Sequence, residues 1–222
     1  PKQKKYYAAF AGNEKFPLTV FDAKGKRLSG DELNCMVDIR GLWYNPKSDK
    51  ICGNGYADIG WICYNLDSKG IPQSYDINIS GTNQPGDNCI GVYNSANDML
   101  CFLDGENVYA YNSDALANED NSVRLYPGIS HAEDIDEYND GSYLSESYNS
   151  NVLIYTGIIH AEFGLLNVVD KQVELYDGKT GLLTQKLKLP SNVQTYPLFN
   201  FSYANGIYWA FDQENRTWFG YK

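Results

Sequence analysis

Two histidines stand in matching settings, Gly128-Ile129-Ser130-His131-Ala132-Glu133 and Gly157-Ile158-Ile159-His160-Ala161-Glu162. An imidazole and a carboxylate two residues apart on a strand project to the same side, where they can share a proton or a metal ion. A second set consists of residues standing just ahead of five similar segments: Asn13, Asp58, Asp104, Asp170 and Asp212. Carboxylates at equivalent places in a repeat can form a ring that holds a cation or sugar hydroxyls. Plain turn formation by Asp and Asn accounts for the same pattern. A third set lies within residues 129 to 150, the most acidic stretch, with Glu133, Asp134, Asp136, Glu137, Asp140 and Glu146. Taken as a calcium loop with Gly141 at the turn, its ligand positions fall on Asp136, Tyr138, Asp140 and Ser147, and two of these do not suit calcium. Asp134, Asp136 and Asp140 are therefore weak candidates for calcium or another divalent cation, and no other cofactor is indicated.

The five cysteines are an odd count for a disulfide framework. Cys52 and Cys63 flank one expected hairpin, Cys89 and Cys101 another, so either pair can stand opposed across neighbouring strands, with Cys35 left over. Small apolar core residues are the simpler reading of all five. No CxxC occurs, so neither a zinc ribbon nor a thioredoxin-like motif is indicated. There is also no nucleophile elbow, phosphate loop or HExxH, and no carboxylate pair whose spacing marks glycosidase chemistry. Sequons begin at Asn78, Asn200 and Asn215, about as many as chance yields in a chain this rich in asparagine.

The elements that must position these residues repeat. Lys171 to Leu189 reads as strand, tight turn and strand, with Val173, Leu175 and Tyr176 leading into Asp177-Gly178-Lys179-Thr180-Gly181. Similar turn chemistry recurs at Asp22-Ala23-Lys24-Gly25 and Asp67-Ser68-Lys69-Gly70, and more loosely at Asn112-Ser113-Asp114. From Asp22 to Asp67 is 45 residues, from Asp67 to Asn112 another 45, from Asn112 to Asp177 65, and from Asp177 to Lys222 again 45. Strands are therefore expected at 16 to 22, 61 to 67, 106 to 112, 171 to 177 and 216 to 222. Two further apolar segments precede most of them and one follows, which gives a four-stranded antiparallel meander of about 45 residues per copy. Runs such as MLCFL and FGLLNVV are apolar on both faces, as in sheets sandwiched between other sheets. The one stretch of helical length, Ser113 to Asn121, is rich in Asn and Asp and reads as a loop.

On these residues the chain resembles the YVTN, quinoprotein-like and six-bladed-type β-propellers, over essentially its whole length and at the level of the repeat. The resemblance implies an all-β propeller of about five four-stranded blades, one domain over 1–222 with an insertion at 129–150. Leu182, Leu183 and Thr184 stand where quinoprotein blades carry a docking Trp, which argues against a pyrroloquinoline site. The first copy lacks a first strand and the fifth lacks a last one. In propellers of this kind the second-to-third and the blade-to-blade connections lie on one face, which places His131 and His160 on opposite faces.

With 222 residues the chain can bury about 70% of its unfolded surface, so no metal or disulfide is required for a core. A net charge of -10 repels nucleic acid and anionic lipid, and no run approaches a membrane span. The chain begins at Pro1 without a signal-peptide core, the form a secreted or periplasmic protein takes after its leader is removed. The function expected is non-catalytic binding of a protein, peptide or glycan through loops on one face, with Asp58, Asp104, Asp170, Asp212, His131 and Glu133 as the contact residues. The alternative is a metal-assisted, lactonase-like hydrolase or lyase with a cation in the axial channel.

Overall fold

The repeated turns are built from side-chain acceptors. In the computed structural model the Asp22 carboxylate accepts the backbone N–H groups of Lys24 and Lys26 at 2.8 and 2.9 Å. Asp67 does the same for Lys69 and Ile71, both at 2.8 Å, and Asp177 for Lys179 and Thr180 at 2.9 and 2.8 Å. Gly25, Gly70 and Gly181 close these turns at φ of 80°, 73° and 71°, where a Cβ is penalised. One local chemistry thus folds three hairpins.

The structure describes residues 4–10, 18–29, 38–56, 60–78, 88–112, 118–137, 144 and 146–222. They form an all-β propeller fold of successive antiparallel meanders. Sheet one pairs β1 (Lys5–Ala9) with β2 (Leu18–Asp22), and an isolated bridge joins Phe21 to Arg27. Sheet two runs β3 (Ile39–Asn45), β4 (Lys50–Gly55), β5 (Trp61–Leu66), β6 (Pro72–Asn78). Sheet three runs β7 (Val92–Asn94), β8 (Met99–Asp104), β9 (Asn107–Asn112), β10 (Asn118–Arg124). Sheet four runs β11 (Ile154–Tyr155), β12 (Phe163–Asn167), β13 (Gln172–Tyr176), β14 (Leu183–Lys188), and sheet five β15 (Phe201–Ala204), β16 (Ile207–Asp212), β17 (Thr217–Tyr221). Four blades of three or four strands are therefore formed, against about five expected, because the first copy is a two-stranded pair among the described residues. The stretch 113–121 also departs from expectation: from Asn118 onward it is strand β10 rather than loop.

The chain forms two compact units, Pro1–Tyr93 and Asn94–Lys222. In the first, Leu18, Ile39, Ile62 and Tyr64 make a buried cluster with Ala9 and Leu42 against it. Cys52 and Cys63 face each other in the β4–β5 register and are joined as a disulfide, so these two are not free core thiols. The buried side chain of Asn54 is bonded at both its nitrogen and its oxygen, donating to Cys89 O at 2.6 Å and accepting from Gly91 N at 3.3 Å. Cys89 and Cys101 are buried and stand outside that disulfide, and burial pushes the Cys101 thiol up to about 12. Cys35 lies outside the described residues.

In the second unit β8 and β12 are buried on both faces, as their continuous apolar runs predict. The helical element between β10 and β11 is a 3-10 turn, Ala132–Glu137. Among the described residues no helix is long and apolar enough to cross a membrane.

Candidate functional site

The β11–β12 turn and the β13–β14 turn lie at one end of sheet four and are fastened to each other by two carboxylates. Glu162 accepts the N–H of His160 at 3.1 Å and that of Gly178, from the other turn, at 2.9 Å. Asp177, besides holding its own turn, accepts His160 Nδ1 at 2.7 Å. That contact, with the Thr180 amide next in importance, holds the Asp177 carboxyl well below the usual carboxylate range. His160 sits at φ 62°, a strained backbone for a residue with a Cβ. Its side chain is 75% exposed, so the ring is oriented by Asp177 while its other nitrogen faces solvent. Ile158 and Ile159 protrude beside it, Ile159 being 77% exposed. The sequence pairing of His160 with Glu162 is thus real but runs through the backbone N–H. The imidazole's own partner is Asp177, which sequence reasoning used only as a turn residue. The signal was present: a first-to-second-strand turn and a third-to-fourth-strand turn of one meander must share an end.

His131 and Glu133 are both exposed on the connection leaving β10. That connection is anchored to sheet four: Tyr126 N donates to Gly181 O at 3.0 Å and Leu183 N to Ile129 O at 2.8 Å. Leu183 pairs with Tyr176, next to Asp177, so the segment carrying His131 reaches the same end of sheet four as His160. The expected separation onto opposite faces is therefore corrected; the blade-to-blade connection runs along the neighbouring turn instead of staying at the far end. Glu133, Asp134 and Asp136 lie exposed on the 3-10 turn, and Asp140 lies outside the described residues. Among the described residues no three His, Cys, Asp or Glu side chains group as metal ligands.

The segment returns onto sheet four at Tyr148. Asn149 N donates to Leu166 O at 2.9 Å and Val168 N to Ser147 O at 2.7 Å. The hydroxyls of Tyr148 and Tyr176 donate to Glu174 Oε2 at 3.0 and 2.7 Å, and Gln172 Nε2 donates to Oε1 at 2.8 Å. Glu174 is 1% exposed, and this many donors make its burial tolerable. Burial first, then the Glu174 charge, drives the Tyr148 hydroxyl far above its ordinary range.

The series of turn carboxylates resolves into separate settings. Asp58 and Asn13 lie outside the described residues. Asp104 is exposed at the tip of the β8–β9 hairpin, paired in register with Asn107. Asp170 exchanges bonds with Asn167, its N–H donating to Asn167 Oδ1 at 2.8 Å and its Oδ2 accepting Asn167 Nδ2 at 3.2 Å. Asp212 accepts Asn215 N on Oδ1 at 2.9 Å and Asn215 Nδ2 on Oδ2 at 2.8 Å. These two bonds, the backbone one first, lower its pKa and keep it ionised. Asp212 also lines a cavity.

That cavity, of about 120 Å³, is lined by Asn192, Val193, Gln194, Ala210, Asp212, Phe219 and Tyr221. Its floor follows from the register of sheet five. Ala210 stands opposite Phe219, Asp212 opposite Thr217 and Tyr208 opposite Tyr221, so these residues share one face. Its wall is the connection from β14 to β15, which neighbours hold in place. Lys171 Nζ donates to Ser191 O and Val193 O at 2.8 and 2.9 Å, Thr195 Oγ1 to Val168 O at 2.8 Å, and Asn149 Nδ2 to Tyr196 O at 3.2 Å. A fixed carboxylate, two side-chain amides and two aromatic rings thus meet on preformed walls. Asn192, Gln194, Phe219 and Tyr221 were not singled out from sequence, because a cavity between a connection and a sheet face has no sequence period.

No family model matches the chain, and no curated protein matches it. Among solved structures, the chain is similar to a Lactobacillus plantarum protein at 14% identity and a TM-score of 0.44, covering 99% of this chain and 66% of that one. It is also similar to Myxococcus xanthus glutaminyl cyclase, at 10% identity and a TM-score of 0.48, with 94% and 91% covered. A third is virginiamycin B lyase of Staphylococcus aureus, at 12% identity and a TM-score of 0.40, with 97% and 69% covered. This chain spans about two thirds of the length of the first and third. At these scores the likenesses transfer neither activity nor ligand.

Proposed function

We propose that this protein is a non-catalytic binding module of a secreted or periplasmic compartment, and that it holds a peptide, protein or glycan at the mouth formed by Asn192–Gln194 and the β16–β17 hairpin. The observation that carries the reading is the convergence of Asp212, Asn192, Gln194, Phe219 and Tyr221 on one cavity with secured walls. Pockets that enclose a whole small molecule run to roughly 300–1,000 Å³. At about 120 Å³ this one admits a single projecting group, while the rest of the partner lies on the surface outside. Half-exposed Phe219 supplies apolar contact there, and the amides and carboxylate supply direction. The Cys52–Cys63 disulfide supports an oxidising compartment.

Peptide and glycan arrays probed with the whole chain test the reading, followed by the same arrays with Phe219→Ala and Gln194→Ala. Ligands captured by the parent and lost by both variants are the expected result. An array on which nothing binds, or on which both variants bind as the parent does, rejects the site. A melting curve with and without chelator separates this reading from a cation-dependent hydrolase, since an ion bound to the native state raises the midpoint.

A further inference from the structure

Resting on the binding reading above, we infer that the sheet-five cavity is a receptor for an alkylammonium group, the end of a lysine side chain presented by a basic peptide. Charge and size together select this group.

The carboxylate of Asp212 is the one charged group on the lining. Its hydrogen bonds come from neutral donors of its own turn, the backbone and side-chain N–H groups of Asn215 and the backbone N–H of Glu214. No Lys, Arg or His among the described residues forms an ion pair with it. The Lys171 ammonium donates instead to the carbonyls of Ser191 and Val193 in the wall. Arg216 and Lys222 are exposed on the same hairpin and its end. The cavity therefore presents a carboxylate to which no cationic side chain among the described residues is bonded.

The remaining lining favours a cation over an anion or a neutral hydroxyl. The side-chain amides of Asn192 and Gln194 each offer a carbonyl oxygen, so the three donors of an ammonium can find acceptors. Phe219 and Tyr221 also line it, and aromatic side chains suit a cation that stacks on a ring face. The chain's charge of -10 raises the local concentration of basic partners. Space makes the choice narrower. At about 120 Å³ the cavity lies well below the roughly 300–1,000 Å³ that enclose a whole small molecule, a size suited to the end of a lysine side chain.

The test uses the full isotopically labelled chain and two blocked tripeptides, Gly-Lys-Gly and its uncharged counterpart with norleucine at the centre, followed through the side-chain amide signals of Asn192 and Gln194. The lysine peptide is expected to shift both signals saturably, with an affinity at least about tenfold above that of the norleucine peptide, as for a charge-assisted contact. Added salt should weaken it. Asp212→Asn should erase the difference between the peptides, and Gln194→Glu, which leaves the Asp212 turn untouched, should tighten the lysine peptide several-fold. Equal affinity for both peptides, or no gain in Gln194→Glu, overturns the inference. If an array ligand without a cationic group moves the same signals, this inference fails and the binding reading stands. If no array ligand moves them, both fail.

Discussion

Removing the Asp177 carboxylate should loosen the whole turn end of sheet four. The side chain accepts four hydrogen bonds: from Lys179 N, Thr180 N and Thr180 Oγ1 at 2.9, 2.8 and 3.1 Å, and from His160 Nδ1 at 2.7 Å. A typical intramolecular bond contributes about 0.5–1.5 kcal/mol net. The donors lost in Asp177→Ala can turn to water, and the 75% exposed imidazole counts at the low end, so the expected loss is about 2–3 kcal/mol. For a chain of this size that is a drop of about 4–12 °C in melting midpoint. The charge adds a pH signature. The folded pKa of Asp177 lies below its unfolded value of about 3.9, so its contribution is complete above that value and is lost as pH falls through the acid range. Asp177→Asn should thus be less stable than the parent at pH 7, and the gap should shrink progressively as pH falls below about 4. His160 supplies an internal control. His160→Ala loses the ring contact yet keeps a Cβ at φ 62°, whereas His160→Gly relieves that backbone, so the glycine variant should be the more stable by about 1 kcal/mol. Urea titrations followed by tryptophan fluorescence at several pH values measure all four variants. An Asp177→Ala midpoint within error of the parent, or a gap to Asp177→Asn that stays constant with pH, would refute the reasoning.

Reduction of Cys52–Cys63, or its replacement by two alanines, should cost about 3 kcal/mol, the loop-entropy value for cysteines separated by 11 residues, and should appear as a lower urea midpoint. Gly181→Ala and Gly25→Ala probe equivalent turns with different surroundings. A Cβ at Gly181 would meet Arg124 O at 1.7 Å and should cost more than about 3 kcal/mol, whereas at Gly25 nothing lies within 4 Å and only the backbone penalty of about 1 kcal/mol applies. Thermal melts of the two variants should differ accordingly, and equal midpoints would show that the Arg124 contact does not constrain the turn.

The sheets were legible in the sequence because their determinants are local. Each expected third strand of a meander is found within a residue or two, as β2, β5, β9, β13 and β17, and after β2, β5 and β13 an Asp acceptor and a left-handed Gly specify the turn. First strands were harder: β11 is just Ile154–Tyr155, although the apolar run starts at Val152, because Asn149 caps the entry by accepting the N–H groups of Asn151 and Val152. What escaped was contact between segments distant in sequence. The bond from His160 to Asp177, the anchoring of Ile129 beside Leu183, and the cavity under Asn192 depend on how connections lie across finished sheets. Of the carboxylates picked out by their place in the repeat, Asp212 lines that cavity, while Asp170 is occupied with its own turn. The chance sequon at Asn200 is set aside by burial, the residue being 4% exposed.

The acidic segment between sheets three and four is fastened at both ends, through Ile129 to Leu183 on entry and through Ser147 and Asn149 to Val168 and Leu166 on exit. Those fastenings make it a cassette. Lengthening it adds only the slowly growing entropy of a larger loop, about 0.6 kcal/mol for each doubling, while both anchors and the strands behind them are left unchanged. Foreign sequence could therefore be carried there, or variation accumulate, without a vote from the sheets.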